Sequence, residues 1–459
     1  MGNAKIGFMG LTLELYKEKL PALTGHLGEF SRELNTVLSE MSETVHLPVA
    51  WNKKTISEGF SIFKKEKVDG IVLVFLSYSA SLEILPSVRQ AKVPVLIWNT
   101  QKIAEIKKGF GLQELLENHG MHGVQDLASV LQRENISFSL ITGHYKDKTT
   151  LSAVKDWCVA AGAASKISRA RIGRIGRLFP RMGDFAMEPE ILKKILGPET
   201  VEIGNGALKE FRHFSSRRHG LPETNLPPEV SWAPEISRKI KKEAVDSIAF
   251  LKKIAAEKHL SALAVNFEGM GKEMPMPFAG ISCLMGEGFG YGGEGDIYSA
   301  SAVLLGQILS GNKATFTEMF TTDYKNSRIF MSHMGESSMA LRRKGEPVKL
   351  ILNKMELGNG IPTAVPVFGI MPGLYTLFNL TGVPVGLKFI ASVVTVINGK
   401  PLERIKTPHF FIKPQNKVEE FLTAYSEQGG THHPAMAYGD IRSKLNFFCG
   451  IKRIPLAEI

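Results

Sequence analysis

Two glutamates and three histidines in the second half of the chain have side chains of the types that hold a divalent metal ion. Glu294 and Glu318 are the carboxylates, His333 follows them, and His432 and His433 form an adjacent pair much later. Mixed carboxylate and imidazole ligands suit Mn²⁺, Co²⁺ or Fe²⁺. Two Glu and two His around one ion would leave coordination positions open for the oxygens of a polyhydroxy compound. The residues therefore indicate metal-assisted chemistry on such a compound, provided that their segments converge.

Glu294 stands in a glycine-rich segment that precedes residues with helical spacing. The glycines are Gly286, Gly288, Gly290, Gly292, Gly293 and Gly295. They let the backbone approach a ligand closely, and the N-terminus of a helix favours negative charge. The structural alternative is an acid that caps the helix. A phosphate-binding loop is a poor interpretation, because its lysine is absent and the glycine spacing does not follow a strand in the nucleotide-binding manner.

Glu318 and His333 each lie on an apolar face of a strand-like segment. With a period of two, Glu318 shares its face with Ala314, Phe316 and Phe320. A carboxylate on an apolar face is costly unless it is paired, protonated or bound to a metal. The alternatives are an edge-strand acid that faces water and a histidine buried in the core. If the two segments pair as neighbouring strands, both side chains can point into one cleft.

His432 and His433 follow two glycines and point to opposite sides if the chain is extended there. We therefore expect at most one of them to bind the metal ion directly, while the other contacts the substrate. The alternative is a solvent-exposed loop.

Alternating strand-like and helix-like patterns predict the elements that position these residues. Apolar runs at residues 71–75 and 93–98 are typical of strands buried on both faces, and residues 148–164 form a long helical pattern. A new strand at residues 170–175 restarts the alternation, and short β-type runs dominate after about residue 325. We expect an α/β protein with two Rossmann-like parallel-sheet domains, followed by a β-rich, barrel-like C-terminal domain.

Three domains follow from these changes of pattern. The expected boundaries are residues 1–165 for the N-terminal α/β domain, 166–325 for a central α/β domain that carries the carboxylates, and 326–459 for the β-rich domain.

Composition limits the class of partner. The net charge is +11, but the basic residues are scattered and no nucleic-acid motif accompanies them, so we expect no nucleic-acid partner. The chain has three cysteines without metal-site spacing, no signal-peptide pattern at its N-terminus and no apolar run of membrane-spanning length. These features favour a cytoplasmic protein with no membrane partner and a small-molecule substrate.

Several short motifs carry a family resemblance through their shared order along the chain. Residues 118–123 are similar to an Asn-Gln-x-x-His-Gly segment, with His119 in place of the Gln, and residues 141–145 are similar to Val-Thr-Gly-His-Trp. Residues 291–296 resemble an Ala-Gly-Glu-Gly-Asp signature, and residues 429–433 resemble Gly-Gly-Ala-His-His. Together they resemble the L-arabinose isomerase and L-fucose isomerase superfamily, and its arabinose isomerase branch more closely.

The resemblance implies a metal-dependent aldose–ketose isomerase that acts on a free sugar through a cis-enediol, with Mn²⁺ as the expected ion. The implied metal ligands are Glu294, Glu318, His333 and His433. The two glutamates are also the implied acid/base pair. The implied sugar contacts are His432, His119, His122 and Met182. In the family, first-domain residues complete the site of a neighbouring subunit, so the resemblance also implies a homo-oligomer, often a hexamer.

The segment before Met182 departs from the family pattern by adding positive charge. A family segment similar to Arg-Phe-Gly-Asp-Asn-Met-Arg here includes Arg174, Arg177 and Arg181. The substrate could be a neutral pentose or hexose of the L-arabinose or L-fucose type. It could instead be an anionic sugar such as sulfoquinovose, converted to sulfofructose and held by these arginines. Ion pairs at the surface or at a subunit interface are the structural alternative. The competing functional class is a non-catalytic sugar-binding protein on the same fold.

Overall fold

The computed structural model describes residues 4–218, 226, 230–270, 274–355 and 360–459. The chain forms two compact units: Met1–Lys166 with Ser443–Arg453, and Ile167–Arg442 with Ile454–Ile459. The division into three domains at residues 165 and 325 stays a prediction.

The first unit contains a five-stranded parallel sheet with the strand order β2-β1-β3-β4-β5. Its strands are β1 (Lys5–Leu11), β2 (Glu43–His46), β3 (Gly70–Phe75), β4 (Val95–Asn99) and β5 (Ser139–Thr142). The helices between and after them are α1 (Glu14–Lys19), α2 (Pro21–Ser39), α3 (Lys53–Lys65), α4 (Ser81–Gln90), α5 (Leu112–Glu117), α6 (Gly120–Arg133) and α7 (Lys148–Ser168).

Helices cover both faces of this sheet. On β3, Val72 and Val74 pack in one apolar cluster with residues of α2 and α7, whereas Ile71, Leu73 and Phe75 pack in a second cluster with residues of α3, α4 and α6. Because both faces of the strand are buried, its sequence is a continuous apolar run rather than an alternating one.

The second unit begins with a four-stranded parallel sheet in the order β10-β9-β6-β7. The elements of this part of the chain are β6 (Arg171–Ile175), α8 (Pro189–Ile195), β7 (Glu199–Ile203), α9 (Asn205–Arg217), β8 (Val230–Trp232), α10 (Arg238–Glu257), β9 (Ala262–Val265), α11 (Phe278–Gly286), β10 (Gly290–Gly293) and α12 (Ile297–Ser310). The tight link from β10 to α12 holds Glu294.

An eight-stranded, largely antiparallel sheet follows in the same unit. Its strands lie in the order β11-β19-β16-β17-β18-β13-β12, and β20 pairs with β17 in parallel. The elements of this part of the chain are β11 (Ala314–Phe316), β12 (Glu318–Asp323), β13 (Arg328–Ser332), β14 (Val348–Asn353), β15 (Thr363–Val367), β16 (Gly373–Val383), β17 (Gly386–Val396), β18 (His409–Pro414), α13 (Val418–Glu427), β19 (Ala435–Tyr438), α14 (Arg442–Lys452) and β20 (Leu456–Glu458). Helix α14 belongs to the first unit from Ser443 onwards. Strands β15, β14 and β8 form a separate three-stranded sheet.

The large sheet is curled, and its two end strands approach each other at Thr317. The strands at the two ends of its order, β11 and β12, are consecutive in the chain and are separated by this one residue. Their edges must therefore lie close together, as in a barrel. Parallel α/β sheets followed by this curled antiparallel sheet confirm the predicted fold class.

Two features differ from the simplest interpretation of the sequence pattern. Residues 314–320 form two strands rather than one, because the chain changes partner at Thr317, from β19 to β13. Glu318 consequently lies on the antiparallel sheet, although it precedes residue 326, the predicted start of the β-rich domain.

No helix among the described residues is long and apolar enough to cross a membrane.

Candidate metal and catalytic centre

Strand pairing brings together the five candidate ligands, which are Glu294, Glu318, His333, His432 and His433. Strand β12 pairs with β13 so that Glu318 lies opposite Ser332, and His333 follows directly. Strand β11 pairs with β19, which places the end of β11 beside the segment that contains His432 and His433. The condition stated from the sequence, that the Glu318 and His333 segments pair as neighbouring strands, is met.

The polar side-chain atoms of these residues lie within a few ångströms of one another. The Nε2 atom of His433 is 3.3 Å from Oε1 of Glu318 and 3.5 Å from Oε2 of Glu294. The Nε2 atom of His333 is 3.6 Å from the same Oε1 of Glu318. His432 approaches both glutamates through its Nε2 atom, at 3.7 and 3.8 Å. His433 therefore belongs to two overlapping groups that could hold a metal ion, one with Glu294 and His432 and one with Glu318 and His333.

Buried carboxylates orient the imidazoles of His433 and His333. The Nδ1 atom of His433 lies 3.0 Å from Oδ2 of Asp296, and Nδ1 of His333 lies 2.6 Å from Oε1 of Glu336. Each bond holds the ring so that its Nε2 atom faces the centre. This carboxylate–histidine pairing is the usual support of a histidine that binds a metal ion.

Asp184 holds the more exposed His432 in the same way. Its Oδ2 atom lies 2.6 Å from Nδ1 of His432 and also accepts the backbone N–H of that residue at 3.0 Å. Burial lowers the pKa of His432, but the bonds to Asp184 and Glu294 outweigh this effect and raise the pKa to about 9. The side chain of His432 is 40% exposed, whereas that of His433 is fully buried, so the two adjacent rings have different environments.

Sequence reasoning gave no role to Asp184, Asp296 or Glu336. Asp296 could have been recognised from the sequence, because it stands in the same glycine-rich motif as Glu294. In the structure it also caps helix α12 by accepting the backbone N–H groups of Tyr298 and Ser299. Glu336 lies three positions after His333, a spacing that would bring the two side chains together on a helix, but the sequence around them has no helical pattern. Asp184 had no sequence signal that tied it to His432.

Three buried atoms at the centre have no hydrogen-bond partner in the described part of the chain. They are Oε2 of Glu294, Nε2 of His333 and Nε2 of His433. Leaving such atoms unpaired is costly, and binding a cation satisfies a carboxylate oxygen and two imidazole lone pairs together. A donor set of carboxylates and imidazoles suits a first-row divalent ion. The residues present therefore fit the metal ion that the sequence led us to expect.

The electrostatics favour positive charge at the centre. Burial raises the pKa of Glu294, but the neighbouring imidazoles of His432 and His433 lower it to about 2, so this carboxylate is ionised. Burial lowers the pKa of His433, yet its hydrogen bond to Asp296 and the neighbouring carboxylates of the two glutamates raise it well above its ordinary value. The field that stabilises protons on these rings also stabilises a divalent cation, whose binding would displace those protons.

Aromatic rings enclose the buried histidines. Phe316 contacts His333 and His433 edge-on, with centroid distances of 4.8 and 4.9 Å, and Phe185 stacks on His433 at 4.7 Å. These rings fix the imidazole planes and keep water from this side of the centre, which strengthens the electrostatic interactions inside it.

The backbone around Glu294 adopts conformations that bring it close to its neighbours. Glu294 has a φ of 56°, a left-handed conformation that costs a non-glycine residue about 1–3 kcal/mol and is typical of functional sites. A Cβ atom at Gly293 would lie 2.8 Å from Cε1 of His333. Only glycine at position 293 leaves the observed space for this ring.

We expect Gly293→Ala to weaken Mn²⁺ binding by about 10- to 100-fold, because the added methyl group displaces His333. Calorimetric titration of the metal-free protein would measure the effect. Gly206→Ala is the matched control, since a Cβ atom at that position meets nothing within 4 Å. Equal affinity in the two variants would contradict the close packing of Gly293 against a metal-binding imidazole.

The first-unit histidines form a pair of their own. His119 and His122 lie at the start of α6, with Nε2 of the former 2.7 Å from Nδ1 of the latter. Burial, followed by the proximity of His122, lowers the pKa of His119. Their predicted contact with a sugar in a neighbouring subunit stays a prediction.

The arginines before Met182 differ in their surroundings. Arg174 forms an ion pair with Glu202 of the adjacent strand β7, at 2.6 Å. This arginine therefore has the structural role, an ion pair, that was the alternative to binding an anionic sugar. Arg177 is exposed and lines a cavity at the carboxyl ends of the parallel strands. Arg181 is also exposed, and Met182 is half-buried two residues before Asp184.

Three family models match successive parts of the chain. They describe the N-terminal domain of L-arabinose isomerase at residues 2–169, its central domain at residues 223–312 and its C-terminal domain at residues 313–455. Together they span most of the sequence, in the order in which the motifs occur.

Curated relatives match over similar lengths. The L-arabinose isomerase of Shouchella clausii is 24% identical over 455 residues, which cover 95% of this chain and 91% of that protein. The L-arabinose isomerase of Thermotoga maritima is 25% identical, with 84% of this chain and 80% of that protein covered. The enzyme of the same name from Bacillus subtilis is 22% identical, with 92% and 87% covered.

Proposed function

This chain belongs to the L-arabinose isomerase family and is an aldose–ketose isomerase, and we propose that it works with a divalent metal ion and two glutamates. The family membership confirms the resemblance stated from the motifs. The single observation that carries the proposed chemistry is the convergence of the unpaired buried atoms of Glu294, His333 and His433 with the carboxylate of Glu318.

The proposed metal ligands are Glu294, Glu318, His333 and His433. Mn²⁺ is the proposed ion, and Co²⁺ or Fe²⁺ suits the same donor set. A divalent ion held there would supply Lewis acidity and a template for two neighbouring oxygens of the sugar. Asp296 and Glu336 would keep the two imidazoles in the tautomer that presents Nε2 to the centre.

The two glutamates would move the protons of the isomerisation. One carboxylate removes the proton from C2 of the open-chain aldose, and a proton is delivered to the carbonyl oxygen, which yields a cis-enediol. Loss of the proton on the C2 oxygen and delivery of a proton to C1 then yield the ketose. Glu294 is ionised, with a pKa of about 2, and is therefore in the unprotonated form that a general base requires. Either glutamate could serve as the base that acts on carbon.

His432 would contact the sugar rather than bind the ion as a main ligand. Its ring stands beside both glutamates, is partly exposed and is tied to Asp184. With the pKa raised to about 9, this imidazole carries a proton at neutral pH and can donate a hydrogen bond to a sugar oxygen. Met182, His119 and His122 are the further proposed sugar contacts, the last two from a neighbouring subunit of a homo-oligomer, for which we propose a hexamer.

The proposed substrate is a free pentose or hexose of the L-arabinose or L-fucose type, or an anionic sugar such as sulfoquinovose. The curated relatives carry the name L-arabinose isomerase, which supports a neutral aldose. The changed residues around Met182 and at His119 support a different sugar. We also propose a cytoplasmic location, without a nucleic-acid or membrane partner. A non-catalytic sugar-binding role is not favoured, because it gives no reason for the unpaired donor atoms at the centre.

A substrate panel tests the proposal. The protein is stripped of metal with a chelator and assayed with L-arabinose, L-fucose, other neutral aldoses and sulfoquinovose, with and without added Mn²⁺. We expect ketose formation from at least one of these sugars, and only when Mn²⁺ is present. Binding of sugars without turnover under all conditions would favour the non-catalytic alternative.

A further inference from the structure

A cavity of about 670 Å³ borders the candidate centre on the antiparallel sheet. His333 belongs both to its wall and to the centre, and Ser332 and Phe320 line it from strand β13 and from the bulge in β12. Its volume falls within the range of about 300–1,000 Å³ that is usual for small-molecule sites. Among the residues of the centre, His333 is the one that lines this cavity.

Two exposed lysines on separate segments line this cavity. Lys354 follows strand β14, and Lys406 lies in the loop before β18. Neither ammonium group forms an ion pair with any residue that the structure describes, and Glu235 is the acidic residue of the lining. With two lysines against one glutamate, the charged side chains of the wall favour an anion.

Neutral hydrogen-bond donors accompany the lysines. The Oδ1 atom of Asn353 accepts the backbone N–H of Met355 at 2.9 Å, so the NH₂ group of its side chain is left as a donor. The hydroxyl of Thr407 lies 2.9 Å from the hydroxyl of Ser332, which ties the Lys406 loop to the residue before His333. The lysine-bearing loop is thus fixed next to the centre.

The cavity that Arg177 lines has the opposite charge balance. Its volume is about 530 Å³, and its lining contains the carboxylates of Glu202 and Glu268 beside this single arginine. Arg174, nearby, is already paired with Glu202. Two acids against one base disfavour an anion there, so the arginines are the weaker candidates for holding one.

We propose, building on the isomerase function above, that Lys354 and Lys406 bind a terminal sulfonate or phosphate of an aldose whose carbonyl end lies at the glutamate and histidine centre. Both groups are tetrahedral oxyanions, and an ammonium ion binds either of them as a point charge. In this arrangement the carbon chain of the sugar would run from the two lysines past His333, the residue that the cavity wall and the centre share.

Binding of charged and uncharged sugar alcohols tests this assignment without relying on turnover. The probes are a hexitol, the same hexitol with a terminal sulfonate, and the same hexitol with a terminal phosphate, each titrated by calorimetry into the full-length protein with Mn²⁺. We expect at least one charged probe to bind about tenfold or more tightly than the uncharged one, the effect of one or two charge-assisted hydrogen bonds. The tighter of the two charged probes identifies the oxyanion.

Variants assign the effect to the lysines. The double variant Lys354→Gln with Lys406→Gln should lose the preference for the charged probe. Lys413→Gln, at an exposed lysine of β18 that does not line the cavity, should keep it. Equal binding of charged and uncharged probes by the unaltered protein would overturn the inference, and so would a preference that survives the double variant or that disappears in Arg177→Gln instead.

Turnover of neutral aldoses, measured in parallel, separates this inference from the proposed function. Isomerisation without any preference for the charged probes overturns the lysine site alone. A lysine-dependent preference without isomerisation of any aldose overturns the proposed chemistry alone.

Discussion

Glu294→Gln and Glu318→Gln should each lower kcat by about 10²- to 10⁴-fold, the usual contribution of a residue that transfers protons in the transition state. The amide has nearly the shape of the carboxylate but cannot take a proton from carbon or pass one between oxygens. Glu294 is buried between two imidazoles and is ionised, and Glu318 lies within 3.6 Å of the Nε2 atoms of His433 and His333. Steady-state kinetics at saturating Mn²⁺ would separate lost proton transfer from weakened metal binding.

Glu287→Gln is the matched control for this pair. Glu287 is exposed, and its partner is the surface residue Lys252, so we expect near-normal kcat. Near-normal turnover in both Glu294→Gln and Glu318→Gln would remove the two glutamates from the acid/base role.

Removal of divalent ions should lower turnover by at least about 100-fold, since a metal ion typically supplies several kcal/mol of transition-state stabilisation. Re-addition of Mn²⁺ should restore it. A second readout does not depend on activity: Mn²⁺ at 100 times its Kd should stabilise the folded protein by about 2.7 kcal/mol and raise Tm by about 3–5 °C. His433→Asn should abolish this rise, because Nε2 of His433 belongs to both groups of potential ligands.

His213→Asn provides the comparison for the thermal measurement. His213 is exposed on helix α9, outside the two ligand groups, and its replacement should leave the Mn²⁺-dependent rise in Tm intact. A full rise in Tm with His433→Asn would exclude this histidine as a metal ligand, and activity that persists after complete chelation would exclude metal dependence.

The supporting carboxylates explain why the centre can be both buried and charged. Asp296, Glu336 and Asp184 each hold one imidazole through Nδ1, so three histidines face the same point without competing orientations. Asp296 also accepts two backbone N–H groups at the start of α12, which fixes its position. The centre is therefore preorganised by segments that adjoin the four-stranded and the eight-stranded sheets of the second unit.

Much of the fold could be predicted because local sequence pattern determines it. The continuous apolar run at residues 71–75 is found as β3, and the helical pattern at residues 148–164 is found as α7. Helix α11, in contrast, has eight buried residues and no polar face, so it shows no helical periodicity by which to recognise it. The split of residues 314–320 into β11 and β12 was equally hidden, because it depends on a change of strand partner.

The candidate site likewise contains residues that local sequence indicates and residues that only the tertiary structure brings into view. Residue type, the glycine-rich motif and the order of the motifs were sufficient to select Glu294, Glu318, His333 and His433 and to indicate the family. They also raised two roles for the arginines before Met182, anion binding or ion pairs at a surface or interface, whereas our proposal of Lys354 and Lys406 as the anion site rests on the charges around the cavities. Neither lysine stands in a motif, and their segments meet only after β13, β14 and β18 have taken their places.

The sequence by itself determined which chemical groups are present and which family they belong to, because side-chain identity and short motifs are local properties of the chain. Only the tertiary structure decided that Glu318 meets His433, that Asp184 holds His432 across 248 positions, and that two lysines share a cavity with His333. These contacts arise from strand pairing across a curled sheet, where the distance between two side chains depends on register and partner choice. The number of residues between two positions in the sequence determines neither the register nor the choice of strand partner.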